Sequence, residues 1–430
     1  MTSRRVARGA AALAAAVLMV GLSVPPASAD QIRDQQWALK TFEADAKVWP
    51  VSQGDGVVVG VIDTGVSQDQ PDLTGQVLPG ADFSGGNSDG RVDTDGHGTG
   101  MASLIAGHGH GSQAGVMGLA PKAKILPVKV ITGGGFDPEP TLDPQQNDFA
   151  EAIRFATDHG AKVVNISLGG NYRFDSKLRK AVNYAVSKDV VLVASTGNSG
   201  SGLGAEYPAA FPGVVAVGAV DSNGAVWDRS TSGVETTLTA PGVGIYRSAL
   251  TSPTGYERRS GTSDSTAYVA ATAALIRSKY PNLSAGQVIN RMIKSATPPA
   301  GGSAVPNNQY GYGLVSPAKA LEANPAVDNG PRDNPLVGRK ESRGTPPPMD
   351  EATDEPSVNV MVPEGDGGSN SSGIGFGIGV TIGLAVWAVL IGGAVFVVVL
   401  VVRARRRRRR AAAGGSQPPY QQPPYGGTYQ

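Results

Sequence analysis

In 430 residues the chain carries no cysteine, four histidines, and 37 basic against 36 acidic side chains. Without cysteine there is no thiol nucleophile, thiolate zinc site, iron–sulfur cluster or disulfide, so a domain of this size has to rest on its core, and an imidazole mechanism must choose among His97, His108, His110 and His159. The formal net charge of +1 hides an uneven layout: three arginines stand at the start and seven near the end, leaving the long middle at about −9, which argues against a nucleic-acid partner.

Residues 1–29 read as a secretory signal peptide. Arg4, Arg5 and Arg8 form the charged start, residues 10–24 are uncharged and mostly apolar, and Ala27-Ser28-Ala29 is a cleavage pattern that would leave Asp30 first. An uncleaved anchor is the alternative, but the apolar run falls short of the ~20 residues a span needs.

Residues 30–325 have the composition of one globular domain. Short apolar strands alternate with helical segments, which predicts an α/β fold with a mostly parallel sheet flanked by helices. Residues 57–62 are nearly continuous and β-branched, as a strand buried on both faces requires. Residues 124–131, 162–167, 190–195 and 214–219 read the same way, and residues 149–159 and 176–187 read as helices. Residues 266–279 are apolar on nearly all sides, the mark of a buried helix, and Tyr280-Pro281 stops it. Ser284 with Gln287 is a capping-box pattern that opens another helix.

Residues 326–372 are rich in Pro, Gly, Asp, Glu and Ser without apolar periodicity, which predicts a disordered spacer. Residues 373–402 carry no charge, and their densest stretch, 380–402, would rise about 34 Å as a helix, enough for a hydrocarbon core of ~30 Å. Arg403 and the run 405–410 follow at once, which puts that side in the cytoplasm and the domain outside; the run is also suited to anionic lipid. Gly375, Gly379 and Gly383 at fourfold spacing permit close helix packing or simply mark a Gly-rich membrane entry. In the tail, residues 403–430, two Pro-Pro-Tyr triplets are recognition candidates or part of a plain disordered end.

Four short motifs carry candidate chemistry. Asp63, in Val61-Ile62-Asp63-Thr64-Gly65, follows a buried strand and so stands at the C-terminal sheet edge where open α/β folds place their sites. Asp-Thr-Gly also marks aspartic proteases, which need two such carboxylates; no second triplet exists. His97 lies in Asp95-Gly96-His97-Gly98-Thr99-Gly100, just before a segment, 101–106, that looks helical. Asp93-Thr94-Asp95-Gly96 fails as an EF-hand, because the first and twelfth ligands would be Arg91 and Ala102. His108 and His110 are either metal ligands or part of a surface loop. Ser263, in Ser260-Gly261-Thr262-Ser263, immediately precedes the buried helix, whose first amides favour negative charge. Asn198, in Thr196-Gly197-Asn198-Ser199-Gly200, follows another buried strand and offers an amide donor. Each alone is also a common turn or helix cap.

Together, in the order Asp, His, Ser, these motifs resemble the subtilisin-like serine proteases. Asn165-Ile166-Ser167-Leu168-Gly169-Gly170 is a fifth, similar to the strand that pairs with substrate backbone, and the resemblance covers residues 36–320. It implies that Ser263 is the nucleophile, His97 the general base and acid, Asp63 its orienting carboxylate, Asn198 an oxyanion donor, and Ser167, Leu168 and Gly169 the substrate strand. It calls for no metal and no cofactor. Within the family the layout of signal peptide, domain, Pro-rich spacer, span and basic tail resembles the mycosins, membrane-anchored proteases of actinobacterial type VII secretion. Only about 30 residues separate Asp30 from the strand before Asp63, too few for the folding propeptide of secreted subtilisins. The partners implied are a polypeptide substrate, the membrane and a type VII secretion complex; a structural role in that complex and broad scavenging proteolysis are the alternatives. Two departures stand out, Asp264 after the serine and Ala267 where the family often has proline. A carboxylate at 264 is expected to weaken oxyanion stabilisation or to favour a basic residue on the leaving side of the cleaved bond.

Overall fold

A computed structural model describes residues 31–342 apart from 112–113, 132–147, 201, 203 and 251–254. The expected signal peptide, span and tail lie outside the described residues.

In chain order the described elements begin with two short N-terminal helices, α1 (Gln31–Asp34) and α2 (Trp37–Thr41), followed by β1 (Val58–Asp63) and β2 (Ala81–Asp82). Next come α3 (His97–Ala106), β3 (His108–His110), β4 (Ala114–Met117) and β5 (Lys124–Lys129). The pairs α4 (Phe149–Asp158) with β6 (Val163–Ile166) and α5 (Ser176–Ser187) with β7 (Val191–Ser195) lead into β8 (Val215–Val220) and β9 (Thr236–Pro241). A hairpin of β10 (Ile245–Ala249) and β11 (Gly255–Arg259) precedes α6 (Thr262–Lys279), α7 (Ala285–Ser295), α8 (Pro317–Leu321) and α9 (Pro325–Asp328).

Seven strands form one sheet in the order β2-β5-β1-β6-β7-β8-β9, and every pairing in it is parallel. Strands β6 to β9 are buried at every position, because helices cover both faces. Alternate side chains serve the two covers. Val59, Val61, Val163, Val193 and Val217 pack with α3 and α6, while Ile62, Val164, Ile166, Leu192 and Ala216 pack with α4 and α5. The central helix α6 is buried at each residue from 262 to 277, a placement its alanines allow by letting the backbone lie close to the sheet.

The predicted strands and helices appear where the apolar patterns put them, with ends moved by a few residues. Helix α3 starts at His97 rather than 101, and α6 at Thr262 rather than 266. Asp175 caps α5 by accepting from the Leu178 amide at 2.9 Å. The capping box of α7 is complete: Ser284 N donates to Gln287 Oε1 at 3.0 Å, and Gln287 N donates to Ser284 Oγ at 3.2 Å. Unpredicted were the strands β2 and β9, the β10–β11 hairpin, the β3–β4 hairpin at His108 and His110, and the short helices α1, α2, α8 and α9. The N-terminal residues are integral to the domain, with Gln36 exchanging hydrogen bonds with both the amide and the carbonyl of Met117 at 2.9 and 2.8 Å.

The spacer expected from residue 326 needs correction. The chain stays on the domain through Ser342. Leu336 and Glu341 are buried. The Arg339 guanidinium sinks below a partly exposed stem and donates to the carbonyls of Ala209, Phe211, Val214 and Glu235 at 2.7 to 2.9 Å. Burial pushes that guanidinium down to about 10, and the Glu235 and Glu341 carboxylates only partly offset it. Glu341 in turn takes two bonds from Arg179 and one from the Tyr207 hydroxyl. Three well-placed side chains anchor a segment whose average composition reads as spacer.

Ending the domain at residue 325 instead of 342 removes the Arg339 donors from four carbonyls and the partners of Arg179 and Tyr207. A cost on the order of 3 kcal/mol or more is expected, lowering Tm by roughly 6–12 °C. Thermal unfolding of the two truncations checks it, with Arg339→Met expected to reproduce most of the loss.

Candidate active site

The strand order places a crevice at one edge. From β1 the sheet is built first toward β5 and then across to β6, so β1 and β6 flank the switch point, and sites of open α/β sheets lie beyond the strand C-termini there. Asp63 ends β1 and Ser167 follows β6.

Asp63 is fully buried, and its Oδ1 lies 2.7 Å from Nδ1 of His97, which is 8% exposed. The same oxygen accepts the Thr64 amide at 2.8 Å. An imidazole with its Nδ1 proton on a carboxylate keeps Nε2 as the basic nitrogen. Two features bring the strand end and the helix start together. Gly98 leaves the gap: a β-carbon there would stand 2.1 Å from the Gly65 carbonyl oxygen and 3.0 Å from Asp63 Cβ. Asp93 supplies the clamp. Its carboxylate accepts from the amides of Asp95, Gly96 and Thr99 and from the hydroxyls of Thr64 and Thr99, all within 3.0 Å. Burial pushes the Asp93 carboxyl up, and these bonds only partly offset it. The Asp-Thr-Asp-Gly run weighed as a calcium loop therefore organises the start of α3.

Ser263 is the second residue of α6. Its Oγ donates to the Ser167 carbonyl at 3.0 Å, and Ser167 Oγ returns a bond to the Ser263 carbonyl at 3.1 Å. Asn165 Nδ2 donates to Ser167 Oγ at 3.0 Å. Asn198 joins the same helix start, its Oδ1 accepting the Thr262 amide and hydroxyl at 2.9 and 3.0 Å. With the oxygen so engaged, the amide donor Nδ2 is the end turned away from Thr262. Leu168 is buried beside Ser167, and Gly169 continues the segment.

Asp264 departs from expectation. It is 1% exposed and accepts from Arg247 Nη1 at 3.2 Å. Arg247, on β10, also donates through Nε to Glu257 of β11 at 2.9 Å. Its stem passes Gly100, where a β-carbon would come within 2.8 Å of Arg247 Cδ. Successive helix residues are turned by about 100°, so while Ser263 meets the strand end, Asp264 faces the interior and does not line the cleft. A preference for basic leaving residues cannot come from it. Burial pushes the Asp264 carboxyl up more than Arg247 pulls it down, and the His97 ring is near enough to act on it as well. Arg247 was missed because nothing in the sequence of the hairpin marks it.

His110 and His108 serve the fold. His110 Nδ1 meets the buried Asp72 Oδ1 at 2.6 Å, and His108 Nε2 meets the Thr74 carbonyl at 2.9 Å. Among the described residues no group of three or more His, Asp or Glu side chains is placed to hold a metal ion.

Replacing Arg247 with Met leaves Asp264 as a buried, uncompensated carboxylate, with an expected loss of about 3–5 kcal/mol. Urea unfolding of Arg247→Met and of Arg247→Met/Asp264→Leu checks it, the double variant recovering most of the loss. Because Asp264 holds its proton more tightly folded than unfolded, its contribution is full below the ordinary carboxylate range and is lost as pH rises through the raised value. The stability of Arg247→Met is therefore expected to fall more steeply than the parent's above that range.

Comparison with known proteins agrees with this geometry. The model of the subtilase family matches residues 54–313. Subtilisin DY of Bacillus licheniformis is 38% identical over 273 residues, covering 63% of this chain and 92% of the relative. Thermitase of Thermoactinomyces vulgaris is 38% identical over 233 residues, 54% of this chain and 79% of the relative. Among solved structures, MycP1 from Mycobacterium smegmatis superposes with a TM-score of 0.59 at 28% identity, over 74% of this chain and 91% of that one. The MycP3 protease from the type VII (ESX-3) secretion system superposes with a TM-score of 0.58 at 32% identity, over 70% and 90%. The chain belongs to the subtilase family and is a subtilisin-like serine endopeptidase.

Proposed function

We propose that the chain cleaves exported polypeptides at Ser263 while held on the outer face of the membrane, working with a type VII secretion system. The observation that carries the catalytic part is the 2.7 Å contact of Asp63 with His97, at the same sheet edge where Ser263 opens α6. To attack, the Ser263 hydroxyl exchanges its Ser167 acceptor for His97 Nε2 and passes its proton there as Oγ bonds to the scissile carbonyl carbon. The ring becomes imidazolium beside Asp63, and the carbonyl oxygen takes the negative charge. Asn198 Nδ2 and the Ser263 amide, at a helix N-terminus, stabilise that oxygen. As the C–N bond breaks, His97 returns the proton to the leaving amine. Water then repeats the sequence, with His97 as base, and releases the acid. Residues 167–169 hold the peptide as an added strand.

The uncharged run at 373–402 and the arginines after it support the anchor. The similarity to MycP1 and MycP3 supports the secretion partner. A second reading, a scaffold whose proteolysis is dispensable, is compatible with the expected membrane tether at 373–402.

A fluorophosphonate probe is expected to label Ser263 in the parent and not in Ser263→Ala. Asn198→Leu is expected to lower kcat by about 10²–10³ and Asp63→Asn by about 10⁴. Export in a deletion strain complemented with Ser263→Ala separates the two readings: restored export favours the scaffold, and lost export favours the peptidase.

A further inference from the structure

Glu206 sits in a slot that two glycines keep open. A β-carbon at Gly169 would lie 2.6 Å from its Oε2, and one at Gly197 would lie 2.5 Å from its Oε1 and 2.6 Å from Cδ. Gly169 ends the segment read as the substrate strand, and Gly197 immediately precedes Asn198. The backbone on either side is pinned. Glu206 N donates to the Thr196 carbonyl at 3.0 Å, and Tyr207 exchanges two 3.0 Å bonds with Gly170. The carboxylate itself is left over. Burial alone pushes it up, and among the described residues no hydrogen bond or charge offsets that. Other buried acids of the domain are provided for: Glu341 by Arg179 and Tyr207, and Glu235 by Ser342 and the Ala205 amide.

The position of the slot defines its occupant. The carbonyl attacked by Ser263 has its oxygen at Asn198, and the residue that owns it lies along 167–169. Its side chain therefore enters between Gly169 and Gly197, toward the Glu206 carboxylate. A half-buried acid without a partner repels an acidic side chain and gains little from an apolar one. It pairs with a cation, which brings the missing donors. We propose that Glu206 selects a lysine or arginine as the residue whose carbonyl is attacked, the acyl-side residue of the cleaved bond. This rests on the proteolytic reading of Ser263.

The test uses the full chain in detergent and peptides that differ only at that residue, lysine against its uncharged near-isostere norleucine. Rates are normalised to the fraction of enzyme that takes the fluorophosphonate label. The parent is expected to favour lysine in kcat/KM by roughly 10- to 150-fold, the scale of one charge-assisted bond. Glu206→Gln is expected to bring the ratio near unity. In the parent the ratio is expected to fall as pH drops through the raised carboxyl range, the His97 titration cancelling between the two peptides. A parent that prefers norleucine, or a ratio that Glu206→Gln leaves unchanged, overturns the proposal. Should Glu206→Gln not take the label, the parent's ratio and its pH dependence decide. A parent that takes no label and cleaves nothing instead refutes the proteolytic reading. Glu206 is then judged by equilibrium binding of peptides ending in lysine or norleucine to Ser263→Ala, and equal affinities overturn the assignment.

Discussion

The reciprocal bonds between Ser167 and Ser263 fix the geometry on which the proposed chemistry depends. Each serine hydroxyl donates to the other's carbonyl, at 3.1 and 3.0 Å. One partner ends a strand in the middle of a parallel sheet, and the other opens a helix buried along residues 262–277. Neither is free to slide, since a shift of the strand would break its ladder on both sides and a shift of the helix would open voids in a close-packed core. Thr262 fastens the Asn198 loop to the same point. Segments 96 and 64 residues away in sequence thus converge on one helix turn. The Asn198 amide and the Ser263 backbone N–H are thereby held in place without rearrangement at the moment of reaction, while only the Ser263 hydroxyl has to change its acceptor.

The absence of cysteine makes the same point from the side of stability. With no covalent staple available, the ends of the domain are held by side chains that reach into the body of the fold. Gln36 locks the N-terminal segment to β4, and Arg339 locks the C-terminal segment to carbonyls between residues 209 and 235. Arginine suits the second task because its rigid fork satisfies several acceptors at once.

What was legible in the sequence follows the physics of each signal. The β-branched runs and the two amphipathic helices were read because apolar periodicity encodes burial directly. Asp63, His97, Ser263 and Asn198 were singled out by their combination and order, since each alone is also a common turn or cap residue. Strand β9 was missed because three of its six residues are threonines, and they enter the core with their hydroxyls or backbone satisfied, Thr239 by the Gly313 carbonyl for instance. The segment to Ser342 was missed because composition averages over a window, while anchoring depends on a few residues with distant partners. Asp264 was misjudged through adjacency: neighbours in a helix point in different directions, and only the fold shows which one faces the cleft. Glu206 carried no motif at all, since its meaning comes from the way the fold brings Gly169, beyond another strand, and Gly197, earlier in its own loop, against its carboxylate.

The treatment of negative charge around His97 has its own logic. Asp63 touches the ring, and Asp264 lies near enough to interact with it. Two uncompensated carboxylates would favour imidazolium, and a ring already protonated cannot accept the Ser263 proton. Arg247 addresses this. It bonds Asp264 and is also felt by Asp63. One of the two negative charges is thereby matched, leaving the other in direct contact with Nδ1, where it can orient the ring and stabilise the cation that forms during the reaction. Glu257 holds Arg247 from its far side, so the arginine is fixed by two acids and does not turn toward the cleft. The departure at position 264 and the arginine at 247 therefore belong together. A carboxylate beside the nucleophile is compatible with this chemistry because a buried cation accompanies it, and each of the two residues would be a liability without the other.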